Sequence, residues 1–257
     1  MLGTIVGDIV GSIYEFNNHR SKEFPLFGAK CTFTDDTVLT VAVADCLMNN
    51  GDYAKYIKNY ARKYTGRGYG GRFRQWISSD SLEPYNSWGN GSAMRVSAVG
   101  FAYNDLESVI LESKRSAEVT HNHPEGIKGA QATAVAIYMA RKGQSKEQIK
   151  QAIAKSFGYD LERTLDEIRP IYKFNESCQE TVPEAIITFL ESTDFEDAIR
   201  NGISLGGDSD TLTCITGGIA EAFYGGVPQD IAEKALSYLP SMMREVVEEF
   251  RERYGLC

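Results

Sequence analysis

The chain has 257 residues, 42% of them hydrophobic, and a formal net charge of −8. This is enough apolar sequence for a full core, whereas the negative charge disfavours a nucleic-acid backbone or an anionic membrane as the main partner. The odd number of cysteines, without a CxxC pair, favours free thiols in a reducing compartment, and the N-terminus lacks the basic flank of a signal peptide, so we expect a cytoplasmic protein.

The first predicted element is a helix near the N-terminus that contains GDIVGSIYEF (7–16). Gly7, Gly11 and Glu15 recur at the four-residue spacing of one helical face, with Asp8 and Ser12 at its edge. A glycine inside a helix costs roughly 0.5–1 kcal/mol relative to alanine, so a glycine face indicates close packing against another backbone. Glu15 on that face is expected either to be hydrogen-bonded within a tightly packed helix or to lie beside a cation.

Apolar residues three and four positions apart predict further helices along the chain. Their ranges are 37–48, 52–64, 105–119, 125–140, 145–157, 180–192, 211–226 and 228–239. Asp105 and Asp194 are expected N-caps, and Ser145 with Gln148 forms a capping box. Strand-like alternation is nearly absent, and no linker interrupts the chain. The prediction is an all-α fold: one compact domain over 1–257, whose core consists of the helices rich in small residues (the first helix, 37–48, 125–140 and 211–226).

Two similar acidic segments, FTDDTVLT (33–40) and GGDSDTLT (206–213), each precede a small-residue helix. Either alone is an ordinary helix cap, which needs only one oxygen. Together they supply six candidate side chains: Thr34, Asp35, Asp36, Asp208, Asp210 and Thr211. If the two segments meet, their carboxylates repel one another unless a cation intervenes. Oxygen-only ligands suit Mg²⁺ or Mn²⁺, and four carboxylates can hold two such ions.

Two other segments are candidate ligand-binding loops. NSWGNGSAMR (86–95) is either an ordinary turn and cap or a cradle of backbone N–H groups for phosphate. THNHPEGIKGA (120–130) carries His121 and His123, which with Glu125 could form part of a zinc site; alternatively, a histidine at a helix start donates to a phosphate. Pro124 is expected at the first position of the helix, with His123 near its cap.

These segments, together with RGYG (67–70), resemble the ADP-ribosylglycohydrolase family in their order along nearly the whole chain. The resemblance implies an all-α enzyme that binds two Mg²⁺ or Mn²⁺ ions and removes ADP-ribose from modified targets. It assigns the six Asp and Thr side chains to the metals and Glu15 to an acid that gates or assists the reaction. It assigns Ser87, Gly89 and Asn90 to the loop around the diphosphate, Trp88 to the aromatic position of that loop, and His121 to a diphosphate contact.

The reaction expected from this resemblance is cleavage at C1″ of the distal ribose through an oxocarbenium-like state, followed by attack of water. Glu15, Asp35, Asp36 and Asp208 are the candidate carboxylates for orienting that water. The partner is then an ADP-ribosylated protein or a small ADP-ribose conjugate, and we expect a monomer. Two alternatives remain at this stage: a two-metal hydrolase of phosphoesters or pyrophosphates, and a non-catalytic ADP-ribose-binding protein.

Overall fold

The computed structural model describes residues 1–256, and helices dominate it. In chain order they are α1 (Leu2–Gly11), α2 (Asp35–Met48), α3 (Tyr53–Lys63), α4 (Gly71–Ser78), α5 (Gly91–Met94), α6 (Ser97–Ala102), α7 (Leu106–Glu118), α8 (Pro124–Arg141), α9 (Lys146–Phe157), α10 (Leu165–Ile168), α11 (Cys178–Leu190), α12 (Phe195–Leu205), α13 (Ser209–Tyr224), α14 (Gln229–Leu236) and α15 (Ser241–Arg253). An isolated antiparallel bridge joins Gly89 and Ser177, and residues 1–256 form no β-sheet. The predicted all-α class is confirmed.

Local capping residues start several of these helices where the sequence predicts. Asp105 and Asp194 cap α7 and α12 through their side chains, and Ser145 with Gln148 forms the capping box of α9. His123 caps α8, with Pro124 at its first position. The short helices α4, α5, α6 and α10, and the C-terminal α15, lie outside the predicted ranges, as does α12, of which only the N-cap Asp194 was predicted.

The first helix is shorter than predicted. It ends at Gly11, after which the Ser12 hydroxyl donates to the Ile9 carbonyl and the Tyr14 N–H to the Gly11 carbonyl, so the chain leaves the helix through tightened turns. Glu15 therefore lies on a turn beyond α1 rather than on its glycine face.

Helix α13 lies at the centre of the core, in contact with α1, α8, α11 and α12. All residues of α1 and nearly all of α13 are buried, in agreement with the predicted small-residue core. Within the described part of the chain, no helix is both long enough and apolar enough to cross a membrane.

Candidate active site

A cavity of about 230 Å³ lies where the loops before α2, α5 and α13 meet. It is lined by both acidic segments through Asp35, Asp36, Asp208, Asp210 and Thr211. The Thr211 hydroxyl donates to Asp36 Oδ2 over 3.3 Å, a direct bond between segments 175 positions apart. The two acidic segments thus meet, which is the condition on which the expected cation site depends.

The glycines of α1 allow this convergence because α1 lies directly against the backbone of α13. A Cβ on Gly7 would lie 2.0 Å from the Thr213 carbonyl oxygen, and one on Gly11 would lie 2.4 Å from Asp210 Cα. The Thr213 hydroxyl also donates to the Gly7 carbonyl over 2.9 Å. Since α13 begins with the second acidic segment, this packing carries the turn with Glu15 to the edge of the cavity.

Asp8 is a buried acid whose role the sequence does not reveal. Its carboxylate accepts the Thr34 hydroxyl at 2.6 Å, the Thr34 N–H at 2.9 Å and the Thr37 N–H at 3.1 Å, as well as the Thr37 hydroxyl. It therefore satisfies the first N–H groups of α2 from a different helix. Asp8 fixes the start of α2 against α1 and so positions Asp35 and Asp36.

Five acids at the cavity or directly behind it form two overlapping groups, and within each group the ligand atoms lie within 4.8 Å of one another: Asp8, Asp36 and Asp210, and Glu15, Asp208 and Asp210. Burial, together with the neighbouring Asp210 carboxylate, raises the pKa of Asp36 well above its ordinary value. Burial and Asp208 do the same to the pKa of Asp210. Acidic groups are thus crowded together where solvent does little to stabilise their ionised forms.

Glu15 and Asp208 show smaller perturbations. Burial and the charge of Asp210 raise the pKa of Glu15 to about 8. Burial raises the pKa of Asp208 to about 6, although Asn90 Nδ2 donates to Asp208 Oδ2 over 2.6 Å and favours the ionised form. Both groups therefore titrate close to neutral pH when only protein surrounds them.

The donor set fits a hard divalent cation. Asp36 lines the cavity, and its Oδ1 is buried with no hydrogen-bond partner within residues 1–256, so one oxygen of the cluster is left unpaired. Neither acidic group contains a histidine or a cysteine, and oxygen ligands of this kind suit Mg²⁺ or Mn²⁺ rather than zinc. His123 is occupied as a helix cap, because its Nδ1 accepts the Glu125 N–H over 3.2 Å.

Thr34 lies behind the cavity rather than at its wall. Its hydroxyl donates to Asp8 and accepts the Asp36 N–H over 3.2 Å, so it caps α2. Asp208, in contrast, precedes α13 without a side-chain capping bond. The capping interpretation thus holds for Thr34 and does not hold for Asp208.

The segment 86–95 forms another part of the cavity wall through Ser87, Gly89 and Asn90. The N–H groups of Gly89 and Asn90 already donate to Ser87 Oγ at 3.1 Å and to the Glu176 carbonyl at 2.7 Å. The expected cradle of backbone N–H groups is therefore not open at these two residues. Trp88 lies outside the cavity lining, with 49% of its surface exposed and its ring centroid 5.8 Å from that of His123.

His121 is buried and lines the cavity. The lining also includes four polar residues that were not among the predicted site residues: Arg72, Tyr85, Arg95 and Glu176. Arg95 ends the SWGNGSAMR motif, and its cationic side chain was the feature of the sequence from which a place in the cavity could have been predicted. Glu176 lies in the least periodic part of the chain, where only contacts distant in sequence determine the backbone path.

Comparisons with known proteins give the family, related sequences and a similar fold. The family model described as ADP-ribosylglycohydrolase matches residues 1–256. The chain is 28% identical to ADP-ribosylhydrolase ARH3 of Homo sapiens over 88% of this chain and 84% of that protein. It is 27% identical to ADP-ribosylarginine hydrolase Tri1 of Pseudomonas putida (strain GB-1) over 91% of this chain and 72% of that protein. A solved structure described as an ADP-ribosylglycohydrolase-related protein complex has a TM-score of 0.74 at 23% identity, covers 99% of this chain and 95% of that one, and shows the same fold.

Proposed function

Since the chain belongs to the ADP-ribosylglycohydrolase family, we propose that it releases ADP-ribose from an ADP-ribosylated protein or small conjugate in a reaction that depends on two Mg²⁺ or Mn²⁺ ions. Hydrolysis of a glycosidic bond of ADP-ribose is the activity of this family, and the chain is accordingly an ADP-ribosyl glycohydrolase. The metal dependence, the class of target, a cytoplasmic location and a monomeric state belong to the proposal.

One observation is the main support for the metal dependence. The two acidic segments meet at the cavity, and the buried Asp36 Oδ1 has no hydrogen-bond partner there within residues 1–256. The residues that would hold the ions are Asp35, Asp36, Asp208, Asp210 and Thr211, with Glu15 at the edge. When bound there, divalent cations supply charge that offsets the carboxylates and polarises the hydroxyl groups of the substrate ribose.

Glu15 is our choice for the carboxylate that orients the attacking water. Asp36 and Asp208 are buried and hydrogen-bonded, whereas Glu15 and Asp35 keep part of their surface exposed to the cavity. Of these two, Glu15 belongs to the group with Asp208 and Asp210 and stands on a turn at the cavity edge. A carboxylate in this position can accept a proton from water as the bond to C1″ breaks.

The substrate diphosphate is expected along the wall formed by Ser87, Asn90 and His121. Asn90 is held in place by bonds to Thr181 Oγ1 at 3.1 Å and to Asp208 at 2.6 Å, so this wall and the acidic cluster form one rigid unit. Such preorganisation supports a binding mode in which the distal ribose would meet the acids while the diphosphate lay against the wall.

The proposal is tested with a panel of ADP-ribosylated substrates that carry arginine, serine, acetyl-ester and nucleic-acid linkages, with products identified by mass spectrometry. We expect free ADP-ribose from at least one linkage, loss of activity in EDTA, and recovery with Mg²⁺ or Mn²⁺. Formation of AMP and ribose phosphate would indicate a pyrophosphate hydrolase instead. Full activity after complete removal of metal would contradict the metal dependence.

A further inference from the structure

Three buried polar side chains are linked in a chain of hydrogen bonds at the cavity wall, and the first and last of them line the cavity. Arg95 Nη2 donates to Thr120 Oγ1 over 2.8 Å, and Thr120 Oγ1 lies 2.8 Å from His121 Nδ1. Arg95 and Thr120 are both fully buried, and His121 is 5% exposed. The chain connects the end of α5 with the end of α7, and so joins the SWGNGSAMR and THNHPEGIKGA motifs.

The donors and acceptors in this chain fix the tautomer of His121. A guanidinium can only donate, so Thr120 Oγ1 accepts from Arg95. If the hydroxyl accepted from Nδ1–H as well, its own proton would be buried without a partner within residues 1–256, which is unfavourable. The arrangement that satisfies every group has Thr120 Oγ1 donating to His121 Nδ1. Nδ1 is then an acceptor without a proton, and a neutral ring carries its proton on Nε2.

The protonated nitrogen faces the cavity. Nε2 has no hydrogen-bond partner within residues 1–256, and a Cβ on Gly91 would lie 3.1 Å from it. Glycine at positions 89 and 91 therefore leaves space in front of Nε2. Burial, then the charges of Arg95 and Arg72, lower the pKa of His121 well below its ordinary value, so the ring stays neutral.

We propose that Arg95 and Thr120 are positioning residues that hold His121 as a neutral Nε2–H donor directed at an anionic oxygen of the ligand. The identity of that oxygen, a diphosphate oxygen of ADP-ribose, rests on the proposed function. The fixed tautomer does not depend on the proposed function, because it follows from contacts within the protein. Ordering of a histidine by a partner on its other nitrogen is a common way to fix its donor role.

The tautomer is measured directly on the metal-free wild-type protein labelled with ¹⁵N-histidine. The chain contains only three histidines, so the ring signals are assigned with His19→Gln and His123→Gln variants. We expect a pyrrole-type Nε2 and a pyridine-type Nδ1 for His121 at pH 7. A protonated Nδ1, alone or in an imidazolium, would overturn the proposal whether or not the protein proves to be an enzyme.

The matched variants are Thr120→Val, which removes the hydroxyl at nearly constant shape, and Thr120→Ser, which retains it. For Thr120→Val we expect averaged signals of the His121 ring. The KM, or the Kd for ADP-ribose, should rise about ten-fold because one oriented hydrogen bond to a charged oxygen is lost. The kcat should stay within about two-fold of wild type. Ser should restore both the ring signals and the affinity. Val with wild-type ring signals and wild-type affinity would show that the hydroxyl positions nothing.

The two levels of the hypothesis fail separately. The ring signals of His121 could change in Thr120→Val but not in Thr120→Ser, while calorimetry with Mg²⁺ detects no binding of ADP-ribose. This pair of results would support the positioning by Thr120 and refute the proposed ligand. Binding of ADP-ribose that is equally tight in Val and in Ser, despite changed ring signals in Val, would refute the role of Nε2–H as a ligand donor.

Discussion

At the scale of single residues, the site depends on the difference between acids that have partners and acids that do not. Asp8 accepts four hydrogen bonds from the start of α2 and serves to fix that helix. Asp36 keeps an unpaired buried oxygen, and Glu15 stands partly exposed at the cavity edge. Two neighbouring aspartates thus differ in role: Asp8 is structural, whereas Asp36 is available for the proposed chemistry.

Replacement of Glu15 by Gln should leave the fold intact and reduce turnover at least ~10²-fold, the usual scale of a general acid–base contribution. The amide has nearly the same shape but cannot accept the proton of the attacking water. Steady-state kinetics with the substrate found in the panel measures the effect. Glu252→Gln, an exposed position in α15, is the matched control and should retain full activity. Wild-type turnover in Glu15→Gln would refute the role of this carboxylate.

Asp36→Asn should stabilise the metal-free protein while abolishing its response to Mg²⁺. Burial and the neighbouring acids raise the pKa of Asp36, so burying this group among them is unfavourable. The amide has nearly the same shape and does not ionise, so it removes that cost. About 1 kcal/mol corresponds to a rise in Tm of roughly 2–4 °C in a protein of this size. Thermal unfolding in EDTA and in Mg²⁺ measures both effects. A variant less stable than wild type in EDTA would indicate that Asp36 is mainly structural.

At the scale of secondary-structure elements, the contact of α1 with α13 determines where the site forms. Gly3, Gly7 and Gly11 face the α13 backbone, and a Cβ on Gly3 would lie 2.2 Å from the Gly217 carbonyl oxygen. Because this contact involves backbone on both sides, no side-chain rotation can relieve a clash. The helix pair behaves as a rigid base from which both the Glu15 turn and the second acidic segment extend.

Gly7→Ala should therefore destabilise the protein by more than the 1–3 kcal/mol typical of an overpacked core, although alanine favours a helix. Chemical denaturation measures the free energy of unfolding. Gly71→Ala, at the start of α4 where an added Cβ meets nothing within 4 Å, is the matched control and should be neutral or slightly stabilising. An equal free energy of unfolding for the two variants would mean that α1 and α13 can move apart without destabilising the protein.

At the scale of the whole molecule, the acidic cluster links stability to pH and to metal. An acid whose pKa is higher in the folded than in the unfolded state binds more protons when folded, so its contribution to stability decreases as pH rises towards the folded pKa. Glu15, with a pKa raised to about 8, and Asp208, with a pKa raised to about 6, both act in this direction. Bound cations favour the ionised forms and oppose the effect.

The Tm of the metal-free protein should accordingly fall as the pH is raised from about 5 to about 8, and the increase in Tm on addition of Mg²⁺ should be larger at pH 8 than at pH 6. Differential scanning calorimetry in EDTA and in saturating Mg²⁺ gives both comparisons. Asp210→Asn removes one acid from the cluster, so the Tm of this variant should depend less steeply on pH than the Tm of the wild type. A metal-free Tm that rises with pH over this range would be inconsistent with the cluster.

Local patterns in the sequence determined the helical class, the long amphipathic helices and the caps at Asp105, Ser145 and Asp194, because helix periodicity and capping depend on neighbours within a few residues. The acidic segments were recognisable for the same reason, since each is a short run of adjacent oxygen-bearing side chains. Tertiary structure alone decided that α1 ends before Glu15, that Asp8 anchors α2, and that Glu176 and Arg95 reach the cavity. These features depend on contacts between residues far apart in the chain, which local periodicity does not encode.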